Sequence, residues 1–276
     1  MTNIMNIVKK DIAEITGNNS ISFILVICIL LIISSMFNAF DLLMEGNIND
    51  DQSLQIMLGW ISSAIMTYGS IMAMMVGFSA ISNEKKDGAL NTLVTKPLYR
   101  DSIINGKMIS CSLFMLFLFG IATVLYTSLL LIACGNVLGP ALAAYLSRLP
   151  FVFLLSSLVA IAYMSISLLI PIWVKRHGVA LLSTVIVFMM LNAILPSVSF
   201  AGNIFILTGN GELYNWILRL SPNASYTNML LTGLYDPSIS IQRVLSGCWM
   251  DIASLLLFII IIMTLCYTSF IRRDIV

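Results

Sequence analysis

Charge is the scarcest property of this chain. Of 276 residues, Lys and Arg supply 14 and Asp and Glu 13, so only 10% are charged, against about 25% in soluble domains. A chain this poor in charge and 59% hydrophobic cannot cover a water-soluble surface. A soluble enzyme of one or two domains is therefore excluded. Histidine is nearly missing: His177 is the single one. That removes a His-Glu-x-x-His zinc site and leaves no Ser–His pair for nucleophilic catalysis inside the apolar stretches. Cys28, Cys111, Cys134, Cys248 and Cys266 form no C-x-x-C pair. Neither a disulfide framework nor a zinc site is indicated, and each reads as a small buried hydrophobe. A phosphate-binding loop is missing too. Gly106-Lys107 has Asp101 where that loop needs glycine and Met108 where it needs Ser or Thr.

The apolar runs are also short of ionisable residues, which an ion-driven carrier usually holds within its helices. Asp251 is the one acidic candidate. Placed at the outer end of the last run, it reads as an acid favoured by a helix N-terminus. The chain thus offers a membrane path without an engine of its own.

What is present is long hydrophobic runs. Six are long enough to cross a hydrocarbon core of about 30 Å: Ile21–Phe40, Leu54–Ile81, Met108–Cys134, Leu149–Val174, Gly178–Leu195 and Asp251–Ile271. The expected fold class is an all-α polytopic membrane protein with six transmembrane helices, forming one domain over 1–276. Residues 1–19 precede the first run. Ile4, Ile7, Val8, Ile12 and Ile15 repeat there at helical spacing, with Lys9, Lys10, Asp11 and Glu14 between them. This predicts an amphipathic helix lying in the membrane interface. Residues 196–247 form the longest piece outside the runs. Its apolar fragments are too short to span and carry Tyr214, Trp216, Tyr226 and Tyr235. Short helices at the outer face are expected.

The basic residues sort by side. Lys9, Lys10, Lys85, Lys86, Lys96, Arg100, Lys107, Lys175, Arg176, Arg272 and Arg273 fall on one side, with Arg148, Arg219 and Arg243 on the other. By the positive-inside rule the first group is cytoplasmic, and so are both termini. The chain is expected in the cell membrane. Abundant Ile and Asn with short loops point to a prokaryotic source.

The stretch 83–107 is the longest charged segment between runs. Ala89, Leu90, Leu93 and Val94 fall on one face of a short helix. Pro97 ends it, because the residue before a proline leaves the helical region. A second helical pattern then leads into the third run. The spacing Glu84, Gly88, Leu93, Pro97, Arg100, Gly106, Lys107 resembles the loop after the second helix of ABC-2 type transporter permeases. The order and number of helices and the C-terminal Arg272-Arg273-Asp274 agree. The resemblance is to the branch without a large extracellular domain, which includes the permease for copper-site maturation of nitrous oxide reductase. It implies that this loop is a coupling helix resting on a separate cytoplasmic ATPase subunit, with Lys175 and Arg176 as a second contact. It also implies that ATP and Mg are bound by that partner, so this chain carries no cofactor and is no enzyme. A second permease copy, forming a homodimer, and membrane lipid complete the expected partners, with no nucleic acid. The direction it implies is export.

Gly69, Ala73 and Gly77 recur every fourth residue of the second run. Small residues at this spacing allow close helix approach, either within the chain or across a dimer. Met66, Met72, Met74 and Met75 nearby read as gap fillers rather than a copper path. Two other functions remain open from the residues alone. A solitary carrier or channel could use Ser62, Ser63, Thr67 and Asn192 as polar lining, and a membrane anchor could use the loop to recruit a cytoplasmic protein.

Overall fold

The computed structural model describes residues 2–17, 19–44, 50–86, 100–138, 142–197, 200, 203, 206–207, 219, 221–236 and 238–272. These residues are helical with short turns between. In order they form α1 (Thr2–Gly17), α2 (Asn19–Met44), α3 (Asp50–Ala64) running through a π-turn (Ile65–Gly69) into α4 (Ser70–Lys86), α5 (Arg100–Leu138) and α6 (Leu142–Trp173). Next come α7 (His177–Met189) with a second π-turn (Met190–Ile194), α8 (Pro222–Leu231) and α9 (Ile241–Ile271). Among the described residues six helices are long and apolar enough to cross a membrane: Ser22–Met44, Gln52–Asn83, Ser102–Gly135, Leu142–Trp173, His177–Ile194 and Ile241–Ile271.

Helix α6 is the axis of the bundle, packing against α3, α4, α5, α7, α8 and α9. Val152, Val159, Ala160, Tyr163, Met164 and Leu168 are all buried along it. Such a helix must be largely apolar all round, and this one is, apart from Arg148 and its small serines. Pro150 and Pro171 lie within it. A proline lacks the N–H that closes a helical turn, so Pro171, two residues from the helix end, removes the donor to the Ser167 carbonyl. Helix α5 packs against α1 and α2 on the other side. It bends at Cys134, whose φ of −121° and ψ of 15° leave the helical region.

Each π-turn has a local cause or consequence. In the second, Leu195 N donates to Met190 O at 2.9 Å, five residues back. In that register the Leu191 carbonyl would await an N–H from residue 196, which is proline. Ser221 Oγ supplies the donor instead, at 2.7 Å. The same Ser221 caps α8, accepting from Ala224 N at 3.4 Å, with Pro222 at the first helical position where no N–H is needed. Asn223 Nδ2 donates to Asn192 Oδ1 at 2.8 Å. So α8 is buttoned to the end of the fifth span, and Ala224, Tyr226 and Met229 are buried.

Two expectations about the spans need correction. The fourth helix begins at Leu142, not Leu149, so Arg148 lies inside it rather than in an outside loop. Arg148 is 4% exposed. Its Nη1 donates to Leu234 O at 2.7 Å and its Nη2 to Ile239 O at 2.6 Å. The guanidinium thereby clasps the 232–240 turn, where Gly233 takes φ +90°. The last helix begins at Ile241, so Asp251 is ten residues inside it and not in its first turn. Its charge faces Arg219, Nε to Oδ1 4.0 Å. Much of 198–220, expected to hold short outer-face helices, lies outside the described residues.

Candidate coupling surface

One end of the bundle gathers the ends of α4, α6 and α9 with the starts of α5 and α7. Glu84 lies in the last turn of α4 and Arg100 opens α5. Gly88, Leu93 and Pro97 lie outside the described residues. Lys85 is the residue that ties this end together. Its Nζ donates to Val174 O at 2.5 Å and to Pro171 O at 3.2 Å. Pro171 belongs to the last turn of α6 and Val174 directly follows it, so neither carbonyl has an intrahelical donor, and a cation there meets the negative end of the helix dipole. Ser82 Oγ and His177 Nδ1 are 2.6 Å apart, joining α4 to the first residue of α7. The His177 ring tilts against Phe78, centroids 5.4 Å apart. Trp173 Nε1 donates to Ser269 Oγ at 2.9 Å, which brings the end of α9 alongside.

Lys175 and Arg176 form the turn between α6 and α7, and both are exposed. Beneath them is a cavity of about 110 Å³ reached by Ser82, Lys85 and His177. Its rim is cationic. The end of the bundle that carries the basic residues is thus a rigid seam. Three helices are bonded to each other through side chains on α4 that precede the 87–99 connection.

Gly106 and Lys107 sit one turn further, on α5, and each has an intramolecular partner. A Cβ at Gly106 would lie 2.7 Å from Ile7 Cγ2, so α1 crosses α5 at this glycine. Lys107 is 3% exposed, with Nζ 3.5 Å from Asp11 Oδ1. Ser110 Oγ donates to Asp11 Oδ2 at 3.3 Å. Burial pushes the Asp11 carboxyl above its usual range, and the Lys107 charge opposes that shift without cancelling it. Asp11 was expected on the polar side of α1; it is buried instead, with Val8 and Ile15. Lys9, Lys10 and Glu14 do face outward, with Lys10 and Glu14 paired at 3.2 Å.

The small-residue face lies inside the chain. A Cβ at Gly69 would come 2.8 Å from the Phe119 ring of α5. One at Gly77 would collide with Ser167 Oγ and sit 2.7 Å from the Met164 carbonyl oxygen of α6. Ala73 between them is fully buried.

Lys85 and Asp11 escaped the sequence reading for different reasons. Lys85 was one cation among several, and nothing local marks a lysine that reaches a helix 86 residues later. Asp11 did carry a signal. It lies four residues from both Ile7 and Ile15, hence on the apolar face, and a carboxylate there requires a buried partner.

No curated protein matches the chain. A family model described as ABC-2 family transporter protein matches residues 5–275, nearly the whole sequence. With six candidate spans and a match of this extent, the chain belongs to the ABC-2 transporter family and is a membrane-spanning permease subunit of an ABC transporter.

Proposed function

We propose that the chain is the membrane path of an ATP-driven exporter, worked by two separate cytoplasmic ATPase subunits and completed by a second copy of itself. The observation that carries this reading is the bonded seam of α4, α6 and α7 at the basic end. It adjoins the 87–99 connection, whose sequence pattern is that of a helix ended by a proline. An ATPase dimer that closes on ATP would press on this connection and on the Lys175–Arg176 turn. Force delivered to α4 passes to α6 and α7 through Lys85 and the Ser82–His177 pair, so the spans respond as one body. Glu84 and Arg100 supply charged contacts to the ATPase, Gly88 permits close approach, Leu93 is the apolar anchor, and Pro97 sets the break. Both termini are cytoplasmic in this arrangement, and ATP with Mg stays on the partner.

The test is co-purification of a tagged chain in mild detergent. An ATP-hydrolysing subunit is expected with the native chain and not when Gly88–Val94 is replaced by polar residues. Arg100→Glu is expected to keep the chain in the membrane while abolishing stimulation of ATP hydrolysis; normal stimulation would remove Arg100 from its role. If no ATPase accompanies the chain under conditions that preserve other membrane complexes, the engine lies elsewhere and the reading fails.

A further inference from the structure

A second opening lies away from the basic end, between α2 and the rod formed by α3, its π-turn and α4. It is a cleft of about 140 Å³, and its walls are polar and apolar in nearly equal parts. Ser34 and Ser35 donate to carbonyls of their own helix, Leu31 O at 2.8 Å and Ile32 O at 2.5 Å. Asn38, Trp60, Ser63, Thr67 and Tyr68 have no side-chain hydrogen bond among the described residues, and Asn38, Ser63 and Thr67 are exposed. Their depth makes this unusual. Thr67 is the sixteenth of the 32 residues of span Gln52–Asn83, and Asn38 the seventeenth of the 23 of Ser22–Met44. Amide and hydroxyl groups within a span find no partner in lipid tails. The π-turn Ile65–Gly69 is what carries Thr67 and Tyr68 to the cleft, and single π-turns within helices gather at functional positions.

We infer that this cleft holds the cargo, and that the cargo is an uncharged amphiphile whose head bears hydroxyl or amide groups. This rests on the transporter reading above. The chemistry of the walls selects the class. Asn38 both donates and accepts, the Trp60 indole donates, and the hydroxyls of Ser63, Thr67 and Tyr68 do either. Among the described residues no Asp, Glu, Lys or Arg lines the cleft, so an ionic head would meet no counter-charge from them. Size selects further. At about 30 Å³ for each water-sized group, the cleft accepts roughly four or five. That is a small head, whose apolar remainder stays in lipid beside the exposed Leu31 and Phe37 of α2.

The test uses the fluorescence of Trp60. The full chain carries Trp173→Phe, Trp216→Phe and Trp249→Phe, leaving one of its four indoles, and sits in phosphatidylcholine nanodiscs. The probe is a monoacylglycerol brominated beside its ester carbonyl. The comparison is the corresponding brominated lysophosphatidic acid, which is anionic. Quenching by the monoacylglycerol is expected to saturate and to be reversed by the unbrominated compound. Its half-point should rise about tenfold in Asn38→Leu and again in Thr67→Val, as the loss of one hydrogen bond each implies. The competition arm needs no cleft variant and so stands even if a variant misfolds. Quenching that grows linearly and equally for both probes means ordinary lipid contact and overturns the inference. Protection of Trp60 from both probes, with Thr67→Cys cross-linking two copies, makes the cleft an interface between copies and also overturns it. Co-purification of the ATPase is read in parallel on the chain with its native tryptophans. An ATPase without saturable quenching defeats the cargo site alone, and saturable quenching without an ATPase defeats the transporter reading alone.

Discussion

Gly77→Ala adds one methyl group at the tightest helix crossing in the bundle. Its Cβ would meet Ser167 Oγ and the Met164 carbonyl oxygen, the latter at 2.7 Å. A hydroxyl can rotate away; a backbone carbonyl cannot, so α4 and α6 must move apart. Extra atoms forced into a packed core cost about 1–3 kcal/mol. Against this stands the gain of about 1 kcal/mol that Ala brings over Gly in a helix. Gly120 isolates that gain, since a Cβ there meets nothing within 4 Å. The difference between Gly77→Ala and Gly120→Ala is therefore the steric cost, which corresponds to roughly 2–12 °C in melting temperature for a chain of this size. Detergent-solubilised protein heated in steps and followed by gel filtration reads it. Ser167→Ala in the Gly77→Ala background should recover only part, because the carbonyl remains. A Gly77→Ala chain that melts at or above Gly120→Ala would refute the close α4–α6 approach.

Three further outcomes are expected. Asp11→Ala takes from the buried Lys107 its carboxylate at 3.5 Å and is expected to lower stability, by up to the roughly 3–5 kcal/mol of a broken buried pair, whereas Asp11→Leu with Lys107→Met should restore most of it; a double-mutant cycle on thermal unfolding decides, and equal melting of the two would discount the pair. Arg148→Ala removes two hydrogen bonds from a charged donor to Leu234 and Ile239 carbonyls, about 1.5–3 kcal/mol each, and Arg148→Lys should rescue little because an ammonium lacks the planar fork; protease sensitivity of the 232–240 turn reads both. Asp236 accepts from Ser238 N at 2.9 Å and Ser238 Oγ at 2.7 Å, and these bonds hold its carboxyl below the usual carboxylate range. A depressed pKa means the turn is supported above the unfolded value of about 3.9 and loses that support as pH falls through the folded value. The protection factor of the Ser238 amide, its exchange divided into the intrinsic rate at each pH, should fall on acidification in the native chain but stay flat in Asp236→Asn.

The spans were legible because hydrophobic length is a one-dimensional property. The third run was expected to end at Cys134, and α5 kinks there. The ends of α6 and α9 were not legible, because charge was taken as a mark of water. Arg148 stays inside a helix since carbonyls of a distant turn solvate it, and Asp251 does so since Arg219 lies beside it. Neither partner is near in sequence. The small-residue stripe was visible as a pattern, yet only geometry separated packing within the chain from packing across copies. Of the coupling pattern, Gly106 and Lys107 proved to hold α1, a contact made with residues about a hundred positions earlier. The pairing could have been sought from Asp11, whose place among isoleucines was already odd. The first π-turn carries no sequence mark: Ile-Met-Thr-Tyr-Gly reads as ordinary helix, and one surplus residue changes its register.

That surplus leaves the phase of the second span nearly unchanged. An α-helix advances about 100° per residue, but the π-turn at Ile65–Gly69 takes up the extra residue. Excising Thr67 would return the rod to a plain α register with nearly the same phase, because the wider turn rotates five residues about as far as an α-helix rotates four. Gly77 would still face Met164, and Ser82 and Lys85 would keep their partners on α7 and α6. A residue deleted from the ordinary helix just beyond the π-turn has no such slack, and would swing both the close crossing and the basic seam by about 100°.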